Sequence, residues 1–144
     1  MLRISEEDYR AMRAHAEQAY RQECCGVLLG HRHDGVNAVT EIRQTENASQ
    51  QSQHTRYQIA PGVLVALQKQ AREHNLEIVG FYHSHPDHSS RWSETDLAEA
   101  HWLGCSYVIT AVAEGLAQHT NSYRLAGKTE DDKQLVDEEI EIVA

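Results

Sequence analysis

Apolar and polar positions along this chain follow two different periods, and the changes of period mark its elements. Tyr9, Met12, Ala16 and Ala19 recur at three- and four-residue spacing, which places them on one face of a helix. Ser5-Glu-Glu-Asp8 in front of them has the form of a capping box with Asp in place of Glu or Gln, so the helix is expected from there to about Arg21. Cys25 to Gly30 and Val36 to Ile42 are strand-like runs, and the Asp34-Gly35 between them predicts a hairpin. Gln44 to Thr55 is rich in Gln, Asn and Ser with almost no apolar residue, which predicts a loop long enough to be functional. Pro61 stands at a first helical position, and Val63, Leu64, Leu67 and Ala71 continue a second helix toward His74.

The next run, Glu77 to His83, is apolar and β-branched enough for a buried strand, and Pro86 stops it. Ser93 then opens a third helical pattern carried by Leu97, Ala100 and His101. Ser106 to Val112, Leu116 to Leu125 and Leu135 to Val143 are further strands, the first two joined around Glu114-Gly115. Both hairpin-linked and crossover-linked strands are implied, so the expected class is α/β, a mixed β-sheet flanked by helices. At 144 residues, with no internal repeat or linker, the expectation is a single domain over 1–144.

Charge and composition narrow the function classes. A net charge of -9, with scattered rather than clustered Lys and Arg, speaks against nucleic acid or an anionic membrane as partner. No apolar run is long enough to span a bilayer, and the acidic, polar N-terminus is unlike a secretory signal, so a cytoplasmic location is expected. Cys24, Cys25 and Cys105 form neither a CxxC nor a disulfide framework and are expected as reduced, buried thiols.

The chemistry concentrates in His83-Ser-His85-Pro86, followed after a short polar loop by Ser93-Glu-Thr-Asp96. Side chains alternate along a strand, so His83 and His85 point to the same side, and Asp96 on the first turn of the third helix converges on them. Two imidazoles and a carboxylate are Zn²⁺ ligands, and three protein ligands with an open position make a catalytic site rather than a structural one. Hydrolysis there also needs a base. Glu23, at the lip of the Cys24-Cys25-Gly26-Val-Leu-Leu strand, is the best placed of the twenty-two acidic residues, although its position alone is a weak signal.

Glu23 before a Cys-Gly-Val-Leu-Leu-Gly strand, His83-Ser-His85-Pro86, six intervening residues, Ser93, two more and Asp96 together resemble the JAMM/MPN+ zinc metalloproteases. The resemblance continues through the initial helix and through Ile59-Ala-Pro61 at the second. It implies a cytidine-deaminase-like fold (the MPN domain), with His83, His85 and Asp96 as ligands of one catalytic Zn²⁺. Glu23 would be the general base, and Ser93 would stabilise the tetrahedral intermediate. A Ser93 hydroxyl could serve both as helix N-cap and as oxyanion donor.

The resemblance further implies a peptidase or isopeptidase cleaving the amide bond after the Gly-Gly tail of a ubiquitin-like protein. The chain is near the minimal size for that fold and is more similar to compact prokaryotic members, some of which process ubiquitin-like sulfur-carrier proteins. Gln44 to Thr55 is the expected tail contact, in the manner of strand addition. The alternative is a non-catalytic MPN-type scaffold that binds a protein partner, which the complete ligand set disfavours. A deaminase of related fold would need an HxE paired with PCxxC, and a zincin HExxH; neither that pair nor HExxH is present.

Other residues have plainer explanations. His31 and His33 sit in a charged turn without a third ligand, so a solvated hairpin is expected there. His88 is expected in solvent at the mouth of the site, and Trp92 in the core. Gly80 marks either a bulge or a close backbone approach.

Overall fold

The computed structural model describes residues 1–144 and is built on one eight-stranded sheet. The strands are β1 (Leu2–Ser5), β2 (Cys25–His33), β3 (Val36–Thr45), β4 (Glu77–Pro86), β5 (Ser106–Ala113), β6 (Leu116–Ala126), β7 (Gln134–Glu138) and β8 (Ile140–Val143). Three helices accompany them, α1 (Glu6–Ala19), α2 (Pro61–Glu73) and α3 (Glu94–Glu99). The strand order is β7-β6-β5-β4-β2-β3-β1-β8, with β1 parallel to β3 and β8, β4 parallel to β5, and the other pairs antiparallel. The expected mixed sheet with helices on its faces is what forms.

Each face of the sheet has its own core, sorted by strand alternation. Cys25, Val27, Leu29, Phe81, Tyr107 and Ile109 pack beneath α2, whose Leu67 and Ala71 they meet. Leu2, Ile4, Leu28, Val79, Tyr82 and Val108 pack against Met12 and Ala16 of α1. No helix is long and apolar enough to cross a membrane.

The local signals act largely as the sequence predicts. Ser5 caps α1, its Oγ accepting from the Asp8 amide at 3.1 Å, a contact worth about 1 kcal/mol. Asp34 and Gly35 both take positive φ, 49° and 77°, the pairing that a two-residue hairpin turn requires. His31 and His33 are exposed on that hairpin, as expected. Pro61 opens α2, although Val63, placed on its buried face from sequence, points largely to solvent. Gly80 does both jobs foreseen for it. The β2–β4 register slips between Leu28↔Gly80 and Leu29↔Ile78, leaving Val79 as the extra residue of a bulge, and a Cβ on Gly80 would lie 2.5 Å from the Ser106 carbonyl.

Three elements differ from expectation. Leu2–Ser5 forms an additional strand whose Leu2 and Ile4 alternate inward. The expected strand from Leu135 to Val143 is two strands divided at Glu139, one pairing with β6 and the other with β1, at opposite ends of the strand order. One residue cannot bridge an open eight-stranded sheet, so the sheet must curl until its two edges nearly meet, where Leu2 N–H donates to Glu139 O at 2.9 Å. Finally, α3 stops at Glu99, so Ala100 and His101 lie outside it. Lys133 Nζ donates to the carbonyls of Ala98 (3.2 Å) and Ala100 (2.8 Å), satisfying groups that a longer helix would have bonded internally.

Candidate metal centre

The end of β4 and the start of α3 converge as the sequence requires. His83 and His85 are both buried on the α2 side of β4, their Nε2 atoms 3.3 Å apart. Asp96 spans them: Oδ1 lies 3.1 Å from His83 Nε2, and Oδ2 lies 3.1 Å from His85 Nε2. The ligating atoms of the three residues fall within 4.8 Å of one another, a donor set able to hold one metal ion.

Neighbouring groups orient the donors, and His83 alone of them has a buried polar atom, Nδ1, without a hydrogen-bond partner. His85 Nδ1 faces the Ser89 carbonyl at 2.8 Å, a contact that places the proton on Nδ1 and turns Nε2 inward. The Tyr57 ring stacks on His83 with centroids 4.3 Å apart and planes 22° from parallel. Ser93 and Asp96 form a reciprocal capping box, Ser93 Oγ accepting from the Asp96 amide at 3.1 Å and Asp96 Oδ2 accepting from the Ser93 amide at 2.8 Å. Ser93 therefore uses an acceptor lone pair for the cap and keeps its hydroxyl proton, so the two roles weighed for it are compatible.

Electrostatics match the geometry. Burial alone would raise the Asp96 carboxyl, but the two imidazoles and the Ser93 amide outweigh it and hold the group far below the usual carboxylate range. For His85 burial opposes the charged ring, and Asp96 more than compensates, so its pKa is raised. Glu23 behaves in the opposite way to Asp96. It is 5% exposed, its Oε1 has no hydrogen-bond partner, and burial pushes its carboxyl up to about 7. His83 and His85 pull that value down, while Asp96 and Glu99 add to the rise. An unpartnered buried carboxyl titrating near neutrality beside this donor set has the properties of a proton carrier.

Glu23 reaches this position through contacts outside the ladder of β2. The neighbouring Cys24 amide donates to Ser84 Oγ, between the two histidines, at 2.8 Å. The Glu23 amide donates to the Gln53 carbonyl at 2.7 Å, and its carbonyl accepts from Asn47 Nδ2 at 3.1 Å. The Gln44 to Thr55 stretch thus braces Glu23, a role its composition did not announce. Part of it also borders a groove of about 450 Å³ that runs from Tyr57 past Ile59, Leu64 and Phe81 to Trp102. The groove's rim carries Gln50, Gln51 and the Arg56–Glu99 ion pair at 3.5 Å.

Sequence reasoning missed Tyr57, Ser84 and Asn47. The only available signal was an aromatic and an amide standing among otherwise solvated polar residues. His88 is exposed near the site, Trp92 packs against the α2-side core, and all three cysteines are buried free thiols, each as expected.

The fold and the donor set together define a protein of the JAB/MPN class. Within it the chain belongs to the prokaryotic homologues of the JAB domain, whose family model matches residues 5–126. It is similar to a desampylase of Haloferax volcanii, with 30% identity over 97 residues that span 67% of this chain and 68% of that protein. Among solved structures, a protein from Desulfitobacterium hafniense superposes with a TM-score of 0.81 at 26% identity, covering 99% of this chain and 92% of the other. A Salinibacter ruber protein gives 0.74 at 34% identity, covering 97% and 90%. A JAB1/MPN domain protein from Archaeoglobus fulgidus gives 0.62 at 18% identity over 99% of both chains, a likeness of fold alone.

Proposed function

We propose that this protein is a JAMM-type zinc-dependent metallopeptidase that hydrolyses the amide bond after the C-terminal Gly-Gly tail of a ubiquitin-like or sulfur-carrier protein. The observation that carries the proposal is the unpartnered, buried Glu23 carboxyl beside the His83–His85–Asp96 donor set. The desampylase relative supports the substrate class, since a desampylase removes a ubiquitin-like modifier. His83, His85 and Asp96 would hold the zinc ion. When bound, zinc would supply Lewis acidity, making a water more acidic and polarising the scissile carbonyl.

The chain's own residues account for the remaining work. Glu23 accepts the water proton at its carboxylate and returns it to the departing amine, a shuttle for which a pKa near 7 is well matched. Ser93 Oγ–H donates to the oxyanion of the tetrahedral intermediate, at a typical worth of 10²- to 10³-fold in rate. The groove bounded by Gln50, Gln51 and Trp102 seats the extended tail, and its aromatic walls exclude water beside the site.

The test incubates zinc-loaded and chelated protein with a panel of ubiquitin-like and sulfur-carrier proteins extended past Gly-Gly by a short peptide, and follows the mass of each carrier. Zinc-dependent loss of the extension is expected, and Glu23→Gln should slow it roughly 10²- to 10⁴-fold, to a residual rate, while leaving stoichiometric zinc. Cleavage at an undiminished rate in the Glu23→Gln protein would overturn the assignment of the base. A fully loaded enzyme that cleaves no carrier would overturn the substrate class.

A further inference from the structure

The base assigned above stands outside the sheet. The ladder of β2 begins at Cys25, so the two peptide groups flanking the Glu23 Cα need partners elsewhere. The stretch between β3 and α2 supplies two of them: the preceding peptide donates its N–H to Gln53 O, and the following one gives its carbonyl to Asn47 Nδ2 while its own N–H goes to Ser84 Oγ in β4. Asn47 is the centre of this arrangement. Its Nδ2 also donates to the Arg56 carbonyl at 2.9 Å, and its Oδ1 accepts from the amides of Ser49 at 3.0 Å and Gln58 at 3.2 Å. An amide side chain offers two donor hydrogens and two acceptor lone pairs, and Asn47 uses all four. Gln53 closes the circuit, its Nε2 donating to the carbonyls of Asn47 and Ser49 at 3.0 Å each.

Arg56 and Gln58 flank Tyr57, the ring stacked on His83. One side chain therefore ties the backbone of the base to the backbone that carries the aromatic plate behind a metal-binding histidine. We propose that Asn47 is a positioning residue for this peptidase, fixing Glu23 relative to the His83 side of the metal centre. The inference rests on Glu23 acting as the base. Asn47 bonds only to backbone groups, so it acts through Glu23 and Tyr57 and not on the substrate. Displacement of reacting groups by about 1 Å can cost on the order of 10²-fold in rate, and releasing the Glu23 carbonyl from Asn47 loosens the backbone that sets the position of the base.

Asn47→Ala removes all four bonds. Asn47→Asp keeps an acceptor oxygen for Ser49 and Gln58 and removes only the donations to Glu23 and Arg56, so it serves if the alanine variant folds poorly. With a sulfur-carrier protein extended past Gly-Gly by a peptide as probe, both should lower kcat by roughly 10- to 100-fold, with KM and zinc stoichiometry unchanged. The decisive comparison is a double-mutant cycle. In a Glu23→Gln background Asn47→Ala should have no further effect on the residual rate, whereas in a Ser93→Ala background its factor should persist. An equal loss in the Glu23→Gln background, or unchanged kcat in the wild-type background, would overturn the proposal.

The carbonyl ¹³C resonance of Glu23 in the metal-free protein, the group that accepts from Asn47 Nδ2, judges Asn47 independently of any activity. Asn47→Asp should shift this resonance as the hydrogen bond is lost, while the Glu23 amide, bonded to Gln53 O, and the β2 and β4 amides stay protected from exchange. An unchanged Glu23 carbonyl resonance would refute the clamp even if cleavage were observed, and a shifted one would sustain it even if every carrier proved resistant.

Discussion

Replacing Glu23 by Gln should make the metal-free protein more stable at alkaline pH, by an amount set by how strongly burial disfavours the carboxylate. Glu23 titrates near its ordinary 4.5 when the chain is unfolded and at about 7 when folded. Between those values the folded state holds a proton that the unfolded state has released, so rising pH destabilises the fold across that window. Below 4.5 and above 7 this group contributes no further slope. The displacement of about 2.5 units corresponds to roughly 3 kcal/mol, since each unit is worth 1.36 kcal/mol. Gln cannot ionise and escapes the loss. The constant cost of burying its amide cancels when the stability difference between variant and parent is compared at pH 5 and pH 8. Most of the roughly 3 kcal/mol should appear between those two pH values, equivalent to a shift of roughly 10 °C in melting temperature for a domain of this size. Urea titrations in EDTA measure it directly, and stoichiometric zinc should narrow the gap, because a nearby cation favours the carboxylate. A difference that is the same at both pH values would mean that Glu23 is solvated, and the proton-carrier assignment would fall with it.

Other outcomes are equally concrete. Ser93→Ala should lose about 1 kcal/mol of stability with its cap and 10²- to 10³-fold in kcat with its hydroxyl donor; a loss of stability alone, read from melting and steady-state rates together, would leave Ser93 a cap only. Asp96→Asn removes the one charge shared by both imidazoles, so zinc measured by calorimetry should bind at least 10-fold more weakly, and unaltered affinity would mean the donor set is misassigned. The thiols of Cys24, Cys25 and Cys105, pushed up by burial to about 12, 11 and 11, should resist alkylation at pH 8 in the folded protein and react fully in denaturant; rapid labelling of the native state would contradict their burial.

How much of this was legible in the sequence follows from the range of the interactions involved. His83 and His85 are two apart on one strand, and Ser93 and Asp96 three apart across one helix start, so local periodicity placed each pair correctly. Glu23 is 60 residues from His83, and only its resemblance to a known motif made it more than one acid among many. Asn47 and Tyr57 were invisible because their importance lies in partners up to 26 residues away that no periodicity encodes. The division of the last strand escaped for a related reason: Glu139 is neither Gly nor Pro, and a change of pairing partner within an extended run alters no side-chain pattern. The carbonyls left free by the early end of α3 are met by Lys133, more than thirty residues downstream.

The bulge in β4 links the sheet to the site more closely than its single residue implies. Ile78 faces the α2-side core, and so does Phe81, which strict alternation would forbid; Val79 between them faces the α1 side together with Tyr82. The extra residue at Val79 resets the alternation, and His83 and His85 inherit the phase of Phe81. In an unbulged strand with Ile78 in place, the two imidazoles would emerge among Met12 and Ala16 of α1, on the face opposite Tyr57 and α3, because a shift of one residue exchanges the faces. Gly80 allows the bulged strand to stay close to β5, where a Cβ would strike the Ser106 carbonyl. The His-x-His pair thus supplies two of the proposed ligands, while Val79 and Gly80, well separated from the candidate metal centre, decide which side of the sheet they serve.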